Sequence, residues 1–248
     1  FDESIRNVLD IYGSLGLIDD AENLVTTELS KEGITTSDKA KLFRALGNMY
    51  RSAVGNCDSD RESLPFYQKA IDKYEEAKVL LISDGDTSSE TYYDILTRLL
   101  ELFRDKVNSS YELFDNHEIT LDELKVDEED LLSYSEELKE SGIDNNIMRR
   151  YYNLGVYYLT LYDFDKENDT LVNAIGILET GYDMLADVEI DSWIGSEIKR
   201  NLERAYIRNE DLENAETILI DIIADPNMED DNKAWSLESF TGSPSNRF

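Results

Sequence analysis

The chain contains the pentapeptide Leu46-Gly47-Asn48-Met49-Tyr50 and repeats its pattern at Leu154-Gly155-Val156-Tyr157-Tyr158. Each string lies in a stretch with apolar residues at helical spacing. Each is followed by a second such stretch with an alanine, Ala70 or Ala174, on its apolar face. A glycine among good helix formers costs a helix about 1 kcal/mol. Its presence twice in the same context indicates that a neighbouring helix backbone approaches closely there, and so predicts packed helical hairpins.

The composition is that of an all-helical protein with a hydrophobic core. The 248 residues are 41% hydrophobic and include fifteen tyrosines and eight phenylalanines but only three prolines. A chain of this length buries roughly 70–75% of its unfolded surface, which is enough for stability without disulfides or metals. Long stretches of alternating polarity, the mark of β-strands, are missing. We therefore predict an all-α fold.

Helical periodicity divides most of the chain into four hairpins. Their first helices carry Tyr12, Tyr50, Tyr158 and Tyr206 near the end, and their second helices carry Ala21, Ala70, Ala174 and Ala215 near the start. Residues 83–145 are predicted to be helical without this pattern. Ser37 and Ser63 are predicted N-caps, Thr120 is predicted to open a helix with a capping box, and the periodicity stops at Asp225-Pro226.

These strings resemble the tetratricopeptide repeat family, whose units pair Leu-Gly-x-x-Tyr with Ala-x-x-x-Tyr-x-x-Ala. Ala70-x-x-x-Tyr74-x-x-Ala77 has the second pattern, and the resemblance covers residues 1–82 and 146–226. It implies a right-handed superhelical array of antiparallel α-hairpins over residues 1–226, irregular in the middle. A C-terminal extension, 227–248, follows.

The charge of the chain limits its partners. There are 55 acidic and 24 basic residues, for a net charge of −31. Such a surface repels nucleic acid and anionic membranes, and no apolar run is long enough to predict membrane insertion. Two explanations of the acidity remain open: solubility or salt adaptation, and a specific basic partner. The single cysteine, Cys57, excludes an internal disulfide and favours a reducing compartment such as the cytoplasm.

Residues that commonly carry chemistry are few. The only histidine, His117, lies in a predicted linker. Residues 163–169 alternate carboxylates like the start of a calcium loop, but Ala174 stands where the closing glutamate belongs. No glycine-rich phosphate loop follows a strand, and nothing marks a serine as a nucleophile. We therefore predict that the protein is not an enzyme and has no catalytic residue, metal or cofactor.

Candidate binding residues lie at shared positions of the first helices, which line the concave face in hairpin repeats of this kind. Six residues before the aligned tyrosines stand three arginines and one tyrosine, and Asn48 and Arg51 share a helical face with Arg44. The predicted partner-binding set is Arg6, Arg44, Asn48, Arg51, Tyr152, Arg200 and Arg204.

Two interpretations of these arginines remain open. They form a basic strip that holds a carboxylate or acidic peptide through bidentate contacts, or they pair with acidic neighbours of the chain itself. Arg44-x-x-Gly47-Asn48 also resembles the carboxylate-clamp version of the family, which grips the C-terminal tails of chaperones. That version has lysine at the position of Arg44.

The sequence thus predicts a non-catalytic scaffold or adaptor that binds a partner protein or peptide through a helical concave face. The alternative is a ligand- or peptide-sensing regulatory module of a larger signalling protein. In the extension, Trp235 and Phe240 are expected to dock on the last hairpin or on a neighbouring chain, and the second case would give self-association.

Overall fold

The computed structural model describes residues 3–121, 128–188 and 192–242. All regular structure in these ranges is helical, which confirms the predicted all-α class. The helices are α1 (Glu3–Leu15), α2 (Ile18–Leu29), α3 (Thr36–Val54), α4 (Asp60–Ser83), α5 (Glu90–Ser109), α6 (Tyr111–Asp115), α7 (Glu128–Lys139), α8 (Asp144–Asp165), α9 (Asn168–Met184), α10 (Ser192–Arg208), α11 (Leu212–Ala224) and α12 (Asp230–Thr241).

The chain forms two compact units, Phe1–Leu138 and Lys139–Phe248. In the N-terminal unit, α1 and α2 form one hairpin and α3 and α4 the next, followed by α5 to α7. In the C-terminal unit, α8 pairs with α9 and α10 with α11, and α12 packs on the last hairpin. The predicted division at residue 226 into an array and an extension stays a prediction.

Two predicted N-caps are wrong by a few residues. Thr35 caps α3, because its hydroxyl oxygen accepts a hydrogen bond from the Asp38 backbone N–H, and Ser59 caps α4 in the same way from Glu62. Both pairs have the spacing of a capping box, a hydroxyl followed three residues later by an acid. Ser37 and Ser63 lie inside the helices. The capping box predicted at Thr120 extends into residues outside the described ranges.

The recurring glycines lie where the second helix of the same hairpin is closest. A Cβ on Gly47 would lie 2.8 Å from Cε2 of Tyr74, and one on Gly155 would lie 2.4 Å from Cδ2 of Leu178. The predicted close approach is therefore confirmed, with the correction that side chains, not a helix backbone, fill the space. A backbone does approach at Gly13, where a Cβ would lie 2.6 Å from a carbonyl oxygen in α3.

Aligned tyrosines join consecutive hairpins. The Tyr50 hydroxyl on α3 donates to the Glu22 carboxylate on α2, and the Tyr206 hydroxyl on α10 donates to Glu179 on α9 at 2.5 Å. Both rings are buried. Some of the excess carboxylates therefore serve as internal acceptors between repeats.

We expect Tyr206→Phe to lower the free energy of unfolding of the C-terminal unit by about 1 kcal/mol, because Glu179 loses its donor. Tyr162→Phe is the matched control, since the Tyr162 hydroxyl makes no hydrogen bond within the described residues and its ring contact with Lys166 is retained by phenylalanine. Urea unfolding followed by circular dichroism measures both variants. Equal effects would contradict the role of the hydroxyl.

The middle of the chain, which lacks the repeat strings, also forms helices that contact one another through side chains. Phe103 on α5 stacks on Tyr134 of α7 with ring centroids 5.9 Å apart. The Tyr92 hydroxyl donates to Glu137, and Lys78 on α4 lies 3.0 Å from the same carboxylate. Helix α7 therefore contacts both α4 and α5 through its side chains.

Candidate functional site: an arginine groove

The N-terminal unit has an open groove of about 900 Å³ whose described lining comes from three helices, α1, α3 and α5. Its lining is Arg6 and Asp10 from α1, Arg44, Asn48, Arg51 and Ser52 from α3, and Glu90, Thr91, Asp94 and Arg98 from α5. Four of the seven predicted binding residues, Arg6, Arg44, Asn48 and Arg51, are brought together here. We call this site the arginine groove.

Helix α5 supplies the wall that the sequence interpretation missed. This part of the chain has no Leu-Gly-x-x-Tyr string, and its helices therefore do not align with the four predicted hairpins. A signal was present nevertheless: Asp94, Arg98 and Glu101 follow one another at the same four- and three-residue steps as Arg44, Asn48 and Arg51. Residues at these steps share one face of a helix, and the two faces meet across the groove.

Ion pairs join the two walls. Arg44 Nη1 lies 3.2 Å from Asp94 Oδ2, and Arg51 Nη1 lies 2.8 Å from Glu101 Oε2. Arg98 shares the same Glu101 oxygen at 2.8 Å. The interpretation that Arg44 and Arg51 pair with acids of the chain itself is therefore confirmed.

These ion pairs leave part of the arginine side chains in the groove exposed. Glu101 is buried, with 9% of its side chain exposed, whereas Arg51 and Arg98 each keep 31% exposed. Longer contacts add to these pairs, since Arg51 lies 3.5 Å from Asp105 and Arg98 lies 3.6 Å from Asp94. A guanidinium group has five N–H donors, more than these contacts use. The buried acid thus holds both arginines in place, and their outer edges remain accessible to an anion.

The amide of Asn48 is oriented as a donor. The Tyr74 hydroxyl, which is buried, donates to Asn48 Oδ1. With its oxygen engaged on the inner side, the amide presents its NH₂ group to the groove that Asn48 lines. Burial raises the pKa of the Tyr74 hydroxyl, so this donor persists at every physiological pH.

The remaining predicted residues, Tyr152, Arg200 and Arg204, belong to the C-terminal unit and have different surroundings. The Tyr152 ring meets Trp193 edge-on, with centroids 5.8 Å apart. The Trp235 ring of α12 lies over both arginines, 4.9 Å from Arg200 Cζ and 5.6 Å from Arg204 Cζ. Trp235 therefore docks on the chain's own last hairpin, one of the two sites expected for it. Self-association stays a prediction.

His117 and the acidic stretch 163–169 were the candidates for catalysis and metal binding, and the structure shows where they lie. His117 is exposed, at a positive φ of 61° after α6. Asp163, the first carboxylate of the stretch resembling a calcium loop, pairs with Arg208 through both of its oxygens at 3.1 and 2.7 Å. Within the described ranges, no group of three potential metal ligands occurs. In the same part of the chain, no helix combines the length and apolarity needed to cross a membrane.

Comparison with known proteins shows which solved structures have a similar fold. Neither a protein-family model nor a curated protein matches the sequence. BtubC (BKLC) from P. vanneervenii superposes with a TM-score of 0.59 at 17% identity, over 97% of this chain and 81% of that one. A putative kinesin light chain from Podosopora anserina, with nearly identical TPR-like repeats, gives 0.55 at 12% identity over 99% and 96%. A second crystal structure of that kinesin light chain, with a single substitution, gives 0.56 at 13% over 89% and 92%.

Identities this low establish the fold alone. They agree with the helical hairpins described above and with the packing at Gly47 and Gly155. The chain therefore has the tetratricopeptide-repeat-like fold, an all-α array of hairpins, that its Leu-Gly-x-x-Tyr strings predict.

Proposed function

We propose that this chain is a non-catalytic scaffold that binds an acidic segment of a partner protein in the arginine groove. The fold is a helical repeat of a kind typically used for protein–protein interaction. The observation that carries the proposal is the clustering of positively charged side chains in one groove. Four arginines from three helices line one groove in a chain with a net charge of −31.

The chemistry of the groove suits a carboxylate. Arginine presents a planar fork of donors that matches a carboxylate through two parallel hydrogen bonds. Arg44 is held less closely than Arg51 and Arg98: its contact with Asp94, a side chain that is 34% exposed, is 3.2 Å, against 2.8 Å from each of the other two to Glu101. An incoming carboxylate can therefore replace Asp94 or share Arg44 with it, while the Asn48 amide donates to the second oxygen.

The ion pairs favour binding by organising the arginines beforehand. Ordering long side chains at an interface costs about 0.5–1.5 kcal/mol for each one. Arg51 and Arg98 are already held by Glu101, so most of this cost is met when the protein folds. The acidic surface outside the groove favours partners that present a local acidic segment on an otherwise neutral or basic protein, because distant like charges repel.

The proposal predicts that Arg44→Ala weakens binding of a labelled Asp/Glu-rich peptide about tenfold, because one charge-assisted contact is lost. Fluorescence anisotropy at about 0.05 M and about 0.5 M salt measures the affinity, which should fall at the higher salt for the wild type. Arg61→Ala is the matched control, because Arg61 is 74% exposed on α4 and pairs with Glu118 outside the groove. Equal affinities for wild type and Arg44→Ala, or preference for a Lys-rich peptide, would overturn the proposal.

A further inference from the structure

In the C-terminal unit, α12 covers the face of α10 that carries Arg200 and Arg204. The helix contacts both α10 and α11, yet its only buried residue in the described part is Ser236. Trp235, over the two arginines, is 38% exposed, and its neighbour Leu237 is 47% exposed. Helix α12 is thus held by an aromatic ring on two guanidinium groups and by one small buried side chain.

A buried acid lies beneath this contact. Glu203 on α10 is 0% exposed, and neither of its carboxyl oxygens has a hydrogen-bond partner among the described residues. The Ser236 hydroxyl, also 0% exposed, lies next to the carboxyl without a hydrogen bond of regular geometry, and Arg200 Nε is likewise unpaired within that part of the chain. An ionised carboxylate buried without partners is strongly unfavourable.

The charges around Glu203 do not compensate this burial. Burial raises the pKa of the Glu203 carboxyl to about 7, and the Ser236 hydroxyl and the Arg204 and Arg200 charges oppose it more weakly. Arg204 is itself affected, since burial lowers its pKa and Arg208 adds to the effect. Both arginines are engaged elsewhere. Each lies under the Trp235 ring, Arg200 Nη1 lies 2.6 Å from Glu197, and Arg204 Nη1 donates to Asn201 Oδ1 at 3.1 Å.

We propose that the α10 face formed by Arg200, Glu203 and Arg204 is a second binding surface, for a segment with an aromatic anchor, and that α12 is its resident occupant, released as Glu203 loses its proton. The occupant itself defines the ligand chemistry. Helix α12 carries Trp235 as its anchor, and the ring lies over both guanidinium groups. A partner segment with the same features would compete with α12 for the two arginines. This inference concerns the C-terminal unit and does not depend on the arginine groove.

The direction of the pH effect follows from proton linkage. Burial in the docked state raises the pKa of Glu203 from its ordinary value of 4.5 to about 7. Release of α12 removes part of this burial, so the docked state binds a proton that the released state gives up. Docking is therefore strongest below pH 4.5 and weakens as the pH rises to about 7. Each unit of pKa difference changes the docking equilibrium tenfold, so the total change is up to about 300-fold.

Trp235 can report its own release. The chain has two tryptophans, and Trp193→Phe leaves Trp235 as the only one while keeping an aromatic ring beside Tyr152. We expect acrylamide quenching of Trp235 in this variant to increase between about pH 5 and about pH 8. Adding Glu203→Gln, a neutral side chain of nearly the same shape, should keep quenching at its low-pH level throughout. Quenching that does not change with pH, or that changes equally in both variants, would overturn the release.

The binding surface has its own test. A labelled peptide of residues 229–242 should bind the full chain carrying Trp235→Ala about ten times more tightly than the wild type, because the tethered α12 no longer competes at high effective concentration. The same peptide with alanine at the tryptophan position should bind neither protein. Equal binding to both proteins, or no binding to either, would contradict the second surface, and the result is independent of Arg44→Ala.

Discussion

Replacing Glu101 with glutamine should lower the free energy of unfolding of the N-terminal unit by about 2 kcal/mol. One oxygen of this buried carboxylate accepts from both Arg51 and Arg98 at 2.8 Å. The amide has no charge, so both guanidinium groups lose their nearest counter-ion and keep only the longer contacts, Arg51 with Asp105 at 3.5 Å and Arg98 with Asp94 at 3.6 Å. The loss is smaller than for a fully buried pair because both arginines remain about a third exposed, and water replaces part of the interaction.

The matched control for Glu101 is Glu76→Gln in the same unit. Glu76 pairs with Lys73 at 2.6 Å on the surface, with 44% of its side chain exposed, and removal of its charge should cost less than about 0.5 kcal/mol. Urea unfolding at neutral pH measures both variants. If Glu76→Gln lowered the free energy of unfolding as much as Glu101→Gln, neither the burial of Glu101 nor its sharing by two arginines would explain its contribution to stability.

The same carboxylate predicts an acid dependence. Burial acts to raise the pKa of Glu101, but the charges of Arg98 and Arg51 outweigh it and hold the pKa below its ordinary value of 4.5. A carboxyl with a lowered pKa stabilises the folded state above pH 4.5, and this contribution is lost as the pH falls through the folded pKa. Wild type and Glu101→Gln should therefore converge in stability on acidification; a difference that persists would contradict the assignment.

Replacing Gly155 with alanine should lower the free energy of unfolding of the C-terminal unit by about 2 kcal/mol. The new Cβ would lie 2.4 Å from Cδ2 and 2.5 Å from Cγ of Leu178, a side chain that is fully buried on α9. Overpacking of this kind costs more than the roughly 1 kcal/mol that alanine contributes to the helix. Leu178 has to change rotamer, or α8 and α9 have to separate.

The hairpin offers a matched control for this glycine. Gly176 also lies inside a helix, in α9, and apart from its chain neighbours and the backbone of its own helix, no described atom lies within 4 Å of the position its Cβ would take. Gly176→Ala should therefore stabilise the same unit by about 0.5–1 kcal/mol. Thermal unfolding monitored at 222 nm by circular dichroism, on the order of a few degrees of shift for each kcal/mol, measures both.

A double-mutant cycle tests the cause of the loss. Leu178→Ala removes the atoms that the new methyl group meets, at its own cost of about 3 kcal/mol. In that background Gly155→Ala should become neutral or stabilising. Additive effects of the two substitutions would mean that Leu178 is not the obstacle, since residues that do not interact show additive changes in stability.

Local patterns predicted part of the candidate site. The steps between Arg44, Asn48 and Arg51 place these residues on one face of α3, and the structure brings Arg6 beside them. The sequence did not predict that α5 lines this site, because this part of the chain lacks the repeat strings. Arg200 and Arg204 lie at equivalent positions, yet α12 covers them, and nothing in their spacing distinguishes them from Arg44 and Asn48.

Helix α12 shows why periodicity can fail. The sequence interpretation ended the helical pattern at Asp225-Pro226, and the structure has a helix at Asp230–Thr241. Apolar periodicity reports a buried apolar face. The buried residue of α12 is Ser236, while Trp235 and Leu237 are exposed, so the helix carries no apolar stripe to be recognised.

By itself, the sequence determined that the chain folds into helical hairpins and which glycines and alanines lie between paired helices. These features depend on side chains a few residues apart, and steric fit within one hairpin decides them. Only the tertiary structure decided that α5 completes the arginine groove, that Glu101 holds two arginines, and that α12 covers Glu203. Those features arise between helices far apart in the chain, whose pairing depends on the packing of the whole unit.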